Sequence, residues 1–368
     1  MTITGRRSRT LRRRAGADGA VPDHGTQRDI VRAALSDSGL LSPSESRAPG
    51  GARRIGVAVS GGMDSMCLLH AVHAPAGGRW PVTCLTVDHG MRDFSRELAC
   101  IRAFCKRRRI PLAVAVLPAG IRQRARREGK SLEEALRDER YRALERMAQE
   151  AGLDVVALAH TASDQAETVL LRLLRGCGMV GVAGMRSQRD RLFVRPLLAV
   201  TRADVERYVR ACRIRFVEDP TNSGDEFLRN RVRHEVLPAL ERIDAAAVRT
   251  LARFADVSAG QASAFRCLVD SRLDAMAVAD PKLGGLRLDR AGLVAAPLTG
   301  VLLHRAIERV SGRAPTAAQV RQVEKVLERG GGVRRVHLRQ VLVRVDRTSV
   351  LIVPADTRCL RRGGKPPA

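Results

Sequence analysis

The sequence predicts an α/β protein: a doubly wound parallel sheet followed by a second, smaller α+β domain. Three observations predict this. Short β-branched runs alternate with amphipathic stretches through the first half of the chain, polar and glycine-rich residues cluster where those runs end, and the pattern changes beyond about residue 235. Alternating strand and helix favour a parallel sheet covered on both faces, and such sheets bind ligands at the carboxyl ends of their strands.

Each element has its own justification. Residues 27–41 place Ile30, Ala34, Leu35 and Leu40 at helical spacing ahead of the main domain. Ile55–Val59 reads as a buried strand running into Ser60-Gly61-Gly62, and Met66–Val72 continues as an apolar helix. Val82–Val87 is a second strand, ending at Asp88-His89-Gly90. A helix over 95–108 and a third strand at Leu112–Leu117 follow. Arg122, Arg124, Arg126, Arg127 and Lys130 show no strong apolar pattern and read as a flexible basic loop. Residues 131–151 form an amphipathic helix with Leu132, Ala135, Leu136, Tyr141, Leu144 and Met147 on one side. Val155–Ala159 is a fourth strand, ending at His160, with a helix over 163–175. Later, 238–279, 297–311 and 315–329 read as helices, and Val333–Leu338, Val341–Val345 and Val350–Val353 as a strand meander. The expected domains are 53–235 and 236–356, preceded by a basic tail, short helix and linker over 1–52 and followed by a basic tail over 357–368.

Composition limits the function classes. Apolar residues make up 45% and charged residues 28% of 368, which excludes a wholly disordered chain or a collagen-like fibre. No run approaches the roughly 18 apolar residues that span a bilayer. Lys and Arg number 65 against 39 acids, a net charge of +26, which points to a polyanionic partner. Residues 1–52 hold nine Arg against five acids, +4 of that +26, leaving +22 on the folded parts. Aromatic residues are only 3%, so nucleic acid would be held chiefly through phosphates and shape. Cys67, Cys84, Cys100, Cys105, Cys177, Cys212, Cys267 and Cys359 are scattered with no C-x-x-C, which argues against a zinc ribbon or redox dithiol and suits a reduced cytosol. The first fourteen residues carry six Arg, no acid and no apolar signal core, and read as a basic tail.

The sharpest motif is Ser60-Gly61-Gly62-Met63-Asp64-Ser65, set between a strand and a helix. Adjacent glycines allow a tight turn and close approach of backbone to ligand. The helix N-terminus behind them offers free N–H groups to a phosphate, and Ser60 and Ser65 add hydroxyls. Asp64 places a carboxylate beside that phosphate, which makes sense if it holds Mg²⁺ or orients the loop. The loop is neither G-x-x-x-x-G-K-[ST] nor G-x-G-x-x-G.

This segment resembles the PP-loop of the ATP-pyrophosphatase superfamily, whose members cleave ATP between the α and β phosphates. The resemblance gives Ser60, Gly61, Gly62, Met63, Asp64 and Ser65 the pyrophosphate part of ATP. The ordered motifs beyond the loop are Asp88-His89-Gly90-Met91-Arg92, Arg137-x-x-Arg140-Tyr141 and His160-Thr161-Ala162-Ser163-Asp164-Gln165-Ala166-Glu167-Thr168. Leu174-Arg175-Gly176, Arg195-Pro196-Leu197-Leu198, Asp219-Pro220-Thr221-Asn222 and Arg229-Asn230-Arg231-x-Arg233 follow them. From about Arg53 to Leu240 this series is similar to the bacterial tRNA(Ile)-lysidine synthase family, in its shorter form. Ser163 stands where the family has its first carboxylate, so only Asp164 and Glu167 are carried over.

The resemblance implies ATP and Mg²⁺, L-lysine and a CAU-anticodon isoleucine tRNA as reactants, in the cytoplasm and away from any membrane. A homodimer is one option for the assembly. Asp88, His89, Arg137, Arg140, His160, Asp164 and Glu167 are the catalytic, lysine-binding or metal-binding candidates. Asp164 and Glu167, three apart, share a helix face that suits Mg²⁺ or an ammonium. Arg195, Arg229, Asn230, Arg231 and Arg233 are the tRNA-phosphate candidates. A PP-loop cytidine thiolase would use paired cysteines, which are absent, and an amidotransferase would need a glutaminase part. A non-catalytic basic RNA-binding protein on the same fold is the alternative from another class, and the intact loop argues against it.

Overall fold

In the computed structural model, residues 24–41, 53–76, 80–178, 180–218, 226–329 and 332–355 are described. The basic tails, the linker, Asp219–Asn222 and Cys359 lie outside the described residues. The chain packs as two units, Met1–Val257 and Ser258–Ala368.

The first unit begins with α1 (His24–Asp37), β1 (Ile55–Ala58), α2 (Met63–Ala76), β2 (Val82–Asp88), α3 (Ser95–Arg108) and β3 (Leu112–Val116). Next come α4 (Ile121–Glu128), α5 (Leu132–Glu150), β4 (Val155–Ala157), α6 (Ala162–Leu174), β5 (Gln188–Arg189), β6 (Phe193–Val194) and α7 (Arg202–Ala211). Then α8 (Glu226–Arg231), a π-helical turn (Val232–Val236), α9 (Leu237–Ile243) and α10 (Ala247–Met276) run on, the last crossing into the second unit.

The sheet order is β3-β2-β1-β4-β6-β5, parallel except for the β5–β6 edge pair. Ile55 sits opposite Val82 on one side and Val155 on the other, so β1 is central. Successive side chains leave a strand on opposite faces, and the two cores show it. Ile55, Val57, Val155 and Ala157 face a cluster with α1, α2, α3 and α7, through Leu35, Met66, Ile101 and Tyr208. Leu85, Val156, Leu158 and Phe193 face Tyr141, Leu144 and Met147 of α5. Gly56 lies on this second side, where an added Cβ would come within 2.7 Å of Leu153 Cδ1. Each fully buried Leu or Ile here contributes about 1.5–3 kcal/mol, so the sheet carries the stability and its strand ends are left to chemistry. Strand order reverses at β1, between β2 and β4, the position at which open α/β sheets bind their ligands.

Three expectations need correction. Residues 121–128 are a helix, not a flexible loop. Ile121 and Ala125, four apart, bury against Ala135 and Ala143, and the arginines take the outer side. Arg124 pairs with the buried Glu139 at 3.2 Å. The single helix expected over 238–279 is α9 and α10, broken near Asp244, and its last residues belong to a strand. The units divide at 257/258 rather than at 235/236. Val232, Leu237, Val248 and Ala252 pack on Ala162 and Ala166 of α6, and so tie this stretch to the first unit.

The second unit continues with β7 (Ala277–Asp280), β8 (Gly285–Asp289), α11 (Arg290–Val294), α12 (Thr299–Ser311), α13 (Ala317–Glu328), β9 (Arg334–His337), β10 (Val341–Val345) and β11 (Ser349–Pro354). Its antiparallel sheet, β7-β8-β11-β10-β9, buries Val336, Val343 and Ile352 against Leu303, Ile307 and Val323 of α12 and α13. β7 and β8 had no signal in the sequence pattern. Among the described residues no helix is long and apolar enough to cross a membrane.

Candidate active site

The Ser60–Ser65 loop leaves the carboxyl end of β1 and is built by its own bonds. Ser65 Oγ accepts from the Ser60 N–H at 3.2 Å and donates to the Gly62 carbonyl at 2.9 Å. Ser65 is buried, so its hydroxyl shapes the loop, and the more exposed Ser60 brings its own hydroxyl to within 3.3 Å of it. The Val59 carbonyl accepts from the buried Thr86 hydroxyl at 2.7 Å, and the Gly61 carbonyl accepts from the Val217 N–H at 3.0 Å. Gly61 has φ +86°, a conformation that costs other residues energy, and an added Cβ would lie 2.8 Å from Glu97 Cβ. The first N–H groups of α2 open onto this loop with the positive end of the helix dipole.

Asp64, in the first turn of α2, is the unusual group. Its Oδ1 is buried without a hydrogen-bond partner. Burial above all, and then the Asp164 and Glu167 carboxylates, push its pKa up to about 6, against the pull of Arg202 and Arg233. A buried, orphaned carboxylate oxygen close to a second carboxylate suits a divalent cation. Among the described residues no three His, Cys, Asp or Glu side chains form a ready metal cage. Mg²⁺ commonly takes one or two carboxylates and completes its shell with phosphate oxygens and water, so the donor set fits Mg²⁺ brought in with a nucleotide.

The second group sits on α6, just past β4. Thr161 caps the helix and Asp164 closes a capping box, accepting from the Thr161 N–H at 2.8 Å and its hydroxyl at 2.9 Å through Oδ2. Glu167 is one turn further on, its side chain 1% exposed. Arg229 Nε donates to Glu167 Oε2 at 2.8 Å and Arg233 Nε to Oε1 at 2.6 Å. Arg233 also reaches Asp164 Oδ1 at 3.2 Å. Arg229 and Arg233 are four apart and share a face across the π-helical turn. Pro238 follows that turn and has no N–H for an ordinary i→i−4 bond. Instead the Leu237 N–H bonds to the Val232 carbonyl, five back. The extra residue lets both Val232 and Leu237 bury against α6.

The third group gathers on His160. Its Nδ1 accepts from Arg195 Nε at 3.2 Å, so the neutral ring carries its hydrogen on Nε2. Burial first, with Arg195, Arg140 and Arg137 adding, lowers its pKa to about 3 against the opposing Asp164. His160 is therefore a hydrogen-bond donor at neutral pH and a poor proton acceptor. Arg137 and Arg140 are exposed on α5, with Arg137 Cζ 5.8 Å from the Tyr141 ring centroid.

The structure corrects the expectation for Arg195 as a tRNA-phosphate residue. It is 4% exposed and holds His160, the Arg186 carbonyl at 2.7 Å and the Tyr141 hydroxyl at 3.0 Å. Asp88 and His89 shape their own turn: Asp88 Oδ1 accepts from the Gly90 N–H at 2.8 Å and His89 Nδ1 from the Met91 N–H at 3.4 Å. Arg231 pairs with Glu235 at 3.2 Å, and Asn230 is half-buried beside it. Three residues escaped the sequence reading. Glu97 is buried over Gly61, Arg202 acts electrostatically on Asp64, and Gln165 clamps the Met185 backbone with bonds of 2.7 and 2.9 Å. Only Gln165 had a signal, its place inside the His160–Thr168 motif.

Residues 40–240 match the family model for the PP-loop domain. A tRNA(Ile)-lysidine synthase from a Bradyrhizobium species is 32% identical over 93% of this chain and 97% of its own length. The chain belongs to the tRNA(Ile)-lysidine synthase family. The Treponema pallidum lysidine synthase is 36% identical over 77% of this chain, and there the chain spans only 61% of the relative's length. A U34-tRNA thiolase from Methanococcus maripaludis shares the fold, with a TM-score of 0.53 and 14% identity over 63% of this chain and 79% of its own. In this lysidine synthase family member, the family's loop, histidine and paired-carboxylate motifs converge within the first unit.

Proposed function

We propose that the chain joins L-lysine to C2 of the wobble cytidine in a CAU-anticodon isoleucine tRNA, consuming ATP and releasing AMP and pyrophosphate. One observation carries this reading: a phosphate loop at the strand-order switch whose orphaned Asp64 carboxylate is coupled to the Asp164–Glu167 pair.

The chemistry follows from what each group can do. The cytidine C2 oxygen attacks the α-phosphate and pyrophosphate leaves, because a ring carbonyl oxygen is a poor leaving group until it is adenylated. The ε-amine of lysine then attacks C2, AMP departs, and one proton is lost. The Ser60–Ser65 backbone and the α2 N-terminus bind the phosphates without reorganising. Asp64, with Asp164 beside it, would hold Mg²⁺, which neutralises charge on the departing pyrophosphate. His160 donates from Nε2 to an oxygen and stays neutral. Glu167 and Asp164 bind the lysine ammonium, and a carboxylate rather than His160 accepts its proton before attack. Arg137 and Arg140 stand ready for phosphates.

The second unit is assigned to tRNA. Arg335 and Arg344 pair across β9 and β10, and Arg287 lies in the same cross-strand row beyond Leu351. That row alternates with the one buried under α12 and α13, so it faces the other side of the sheet. Arginines there can grip phosphates without reading bases. The scattered thiols suit a cytosolic setting.

The test is incorporation. With Mg-ATP, labelled lysine and bulk tRNA, the protein should place lysine on tRNA, and omission of ATP should abolish it. Sulfur incorporation, or RNA binding without any lysine transfer, would overturn the reading.

A further inference from the structure

Glu167 and Asp164 are the carboxylates assigned to the substrate ammonium, yet their negative charge is already spoken for. Each Glu167 oxygen holds one guanidinium, at 2.8 and 2.6 Å, and the side chain is 1% exposed. Asp164 Oδ1 holds Arg233 at 3.2 Å and lies 3.9 Å from Arg229, while Oδ2 is committed to the Thr161 cap. An ammonium entering this arrangement would meet two fixed cations and only the small exposed part of Asp164, 15% of its side chain, and a surplus buried charge is strongly disfavoured.

The arginines themselves are differently placed. Their side chains are 36% and 32% exposed, so both reach solvent while their partner does not. Arg229 lies just before a π-helical turn and Arg233 within it, a local departure from α-helical bonding that is common at functional sites. Guanidinium binds phosphate with two parallel hydrogen bonds as readily as it binds carboxylate. Both reactants expected here besides lysine, ATP and RNA, bring phosphates.

Resting on the reading of Glu167 as a lysine carboxylate, we propose that Arg229 and Arg233 lock the Glu167–Asp164 pair against free lysine, and that a phosphate from RNA or ATP draws the arginines off and opens it. Lysine then binds last, after the group it will attack is in place. By linkage, lysine must in turn tighten binding of whichever phosphate ligand opens the lock.

The experiment is equilibrium dialysis of labelled L-lysine against the full chain in four arms: protein alone, with α,β-methylene-ATP and Mg²⁺, with an anticodon stem-loop RNA, and with both. Lysine affinity should rise by roughly tenfold or more in at least one ligand arm, within the usual range of coupling between sites, and the responding arm identifies the phosphate. Arg229→Gln, measured without ligands, should bind lysine tighter than the unaltered protein and respond less to the opening ligand. Equal lysine affinity in all four arms overturns the lock while the lysidine reading stands. No lysine binding in any arm overturns both. If Arg229→Gln does not fold, the four arms on the unaltered protein still decide.

Discussion

The Ser60–Ser65 loop is shaped mostly by bonds within its own six residues, whereas the Glu167–Asp164 pair is held by arginines 62 to 69 positions along the chain. The loop's own bonds are short-range, partly buried and uncharged, and the one from the Val217 N–H to the Gly61 carbonyl is likewise uncharged. They cost nothing to keep when a phosphate arrives, so the loop is ready as it stands. The carboxylate pair is satisfied by ion pairs whose cationic ends reach solvent, so it must exchange partners to bind anything. One site is preorganised and the other is occupied from within. On the proposed function, the preorganised loop takes its reactant directly while the occupied pair holds its own back.

Substitution of Asp64 should have the strongest consequence. Asp64→Asn should reduce adenylation at least about 100-fold, as loss of a group that stabilises developing charge does, while leaving tRNA binding intact. It should also make the protein more stable. The folded state raises the Asp64 pKa from 3.8 to about 6, so it favours the protonated form, and the cost of ionising grows as pH rises between those values. At pH 8 the variant should therefore unfold about 2–3 kcal/mol later than the unaltered protein, with no gain below about pH 4. Denaturant melts at the two pH values check this; a variant less stable at pH 8 would mean Asp64 is not strained in the free protein.

Glu167→Gln tests the other side. Adenylated tRNA should accumulate because the lysine step fails, and stability should fall by about 2 kcal/mol as two guanidiniums lose their buried acceptor. Loss of adenylation instead would merge the two sites into one. The pH profile sharpens the contrast further. Adenylation at ATP well below saturation, which reports the free protein, should fall about tenfold per unit below about pH 6 as Asp64 takes a proton, and no change should follow from His160, already neutral through that range. Smaller still, Arg195→Ala should lower stability by about 2–3 kcal/mol through the lost bonds to His160, Arg186 and Tyr141. It should leave the salt dependence of tRNA binding unchanged. A flatter salt slope would return Arg195 to the RNA surface.

The loop, the parallel sheet and the strand ends were readable in the sequence because their signals are local. Two adjacent glycines, a β-branched run before them and a carboxylate in the next helical turn all lie within ten residues. The lock was not readable. Arg229 and Arg233 look like a surface cluster until the fold brings Glu167 to them, and periodicity carries no distance. Arg195 misled for the same reason: an arginine after a strand looks like a phosphate contact, but the fold closes Tyr141 and His160 over it. α4 was missed because its arginines outnumber the two small apolar positions, Ile121 and Ala125, that decide it. β7 and β8 are short, and Val278 is largely exposed, so strand alternation never showed.

If the proposed order holds, an RNA base is adenylated at this site before lysine enters. A reaction without lysine decides this: the protein is mixed with tRNA, Mg²⁺ and ATP labelled at the α-phosphate, and the RNA is then separated and counted. Label should appear on the wobble cytidine of the CAU-anticodon tRNA, none should come from γ-labelled ATP, and the label should leave as AMP when unlabelled lysine is added. Label that reaches RNA only when lysine is present, or that comes from the γ-phosphate, would contradict it.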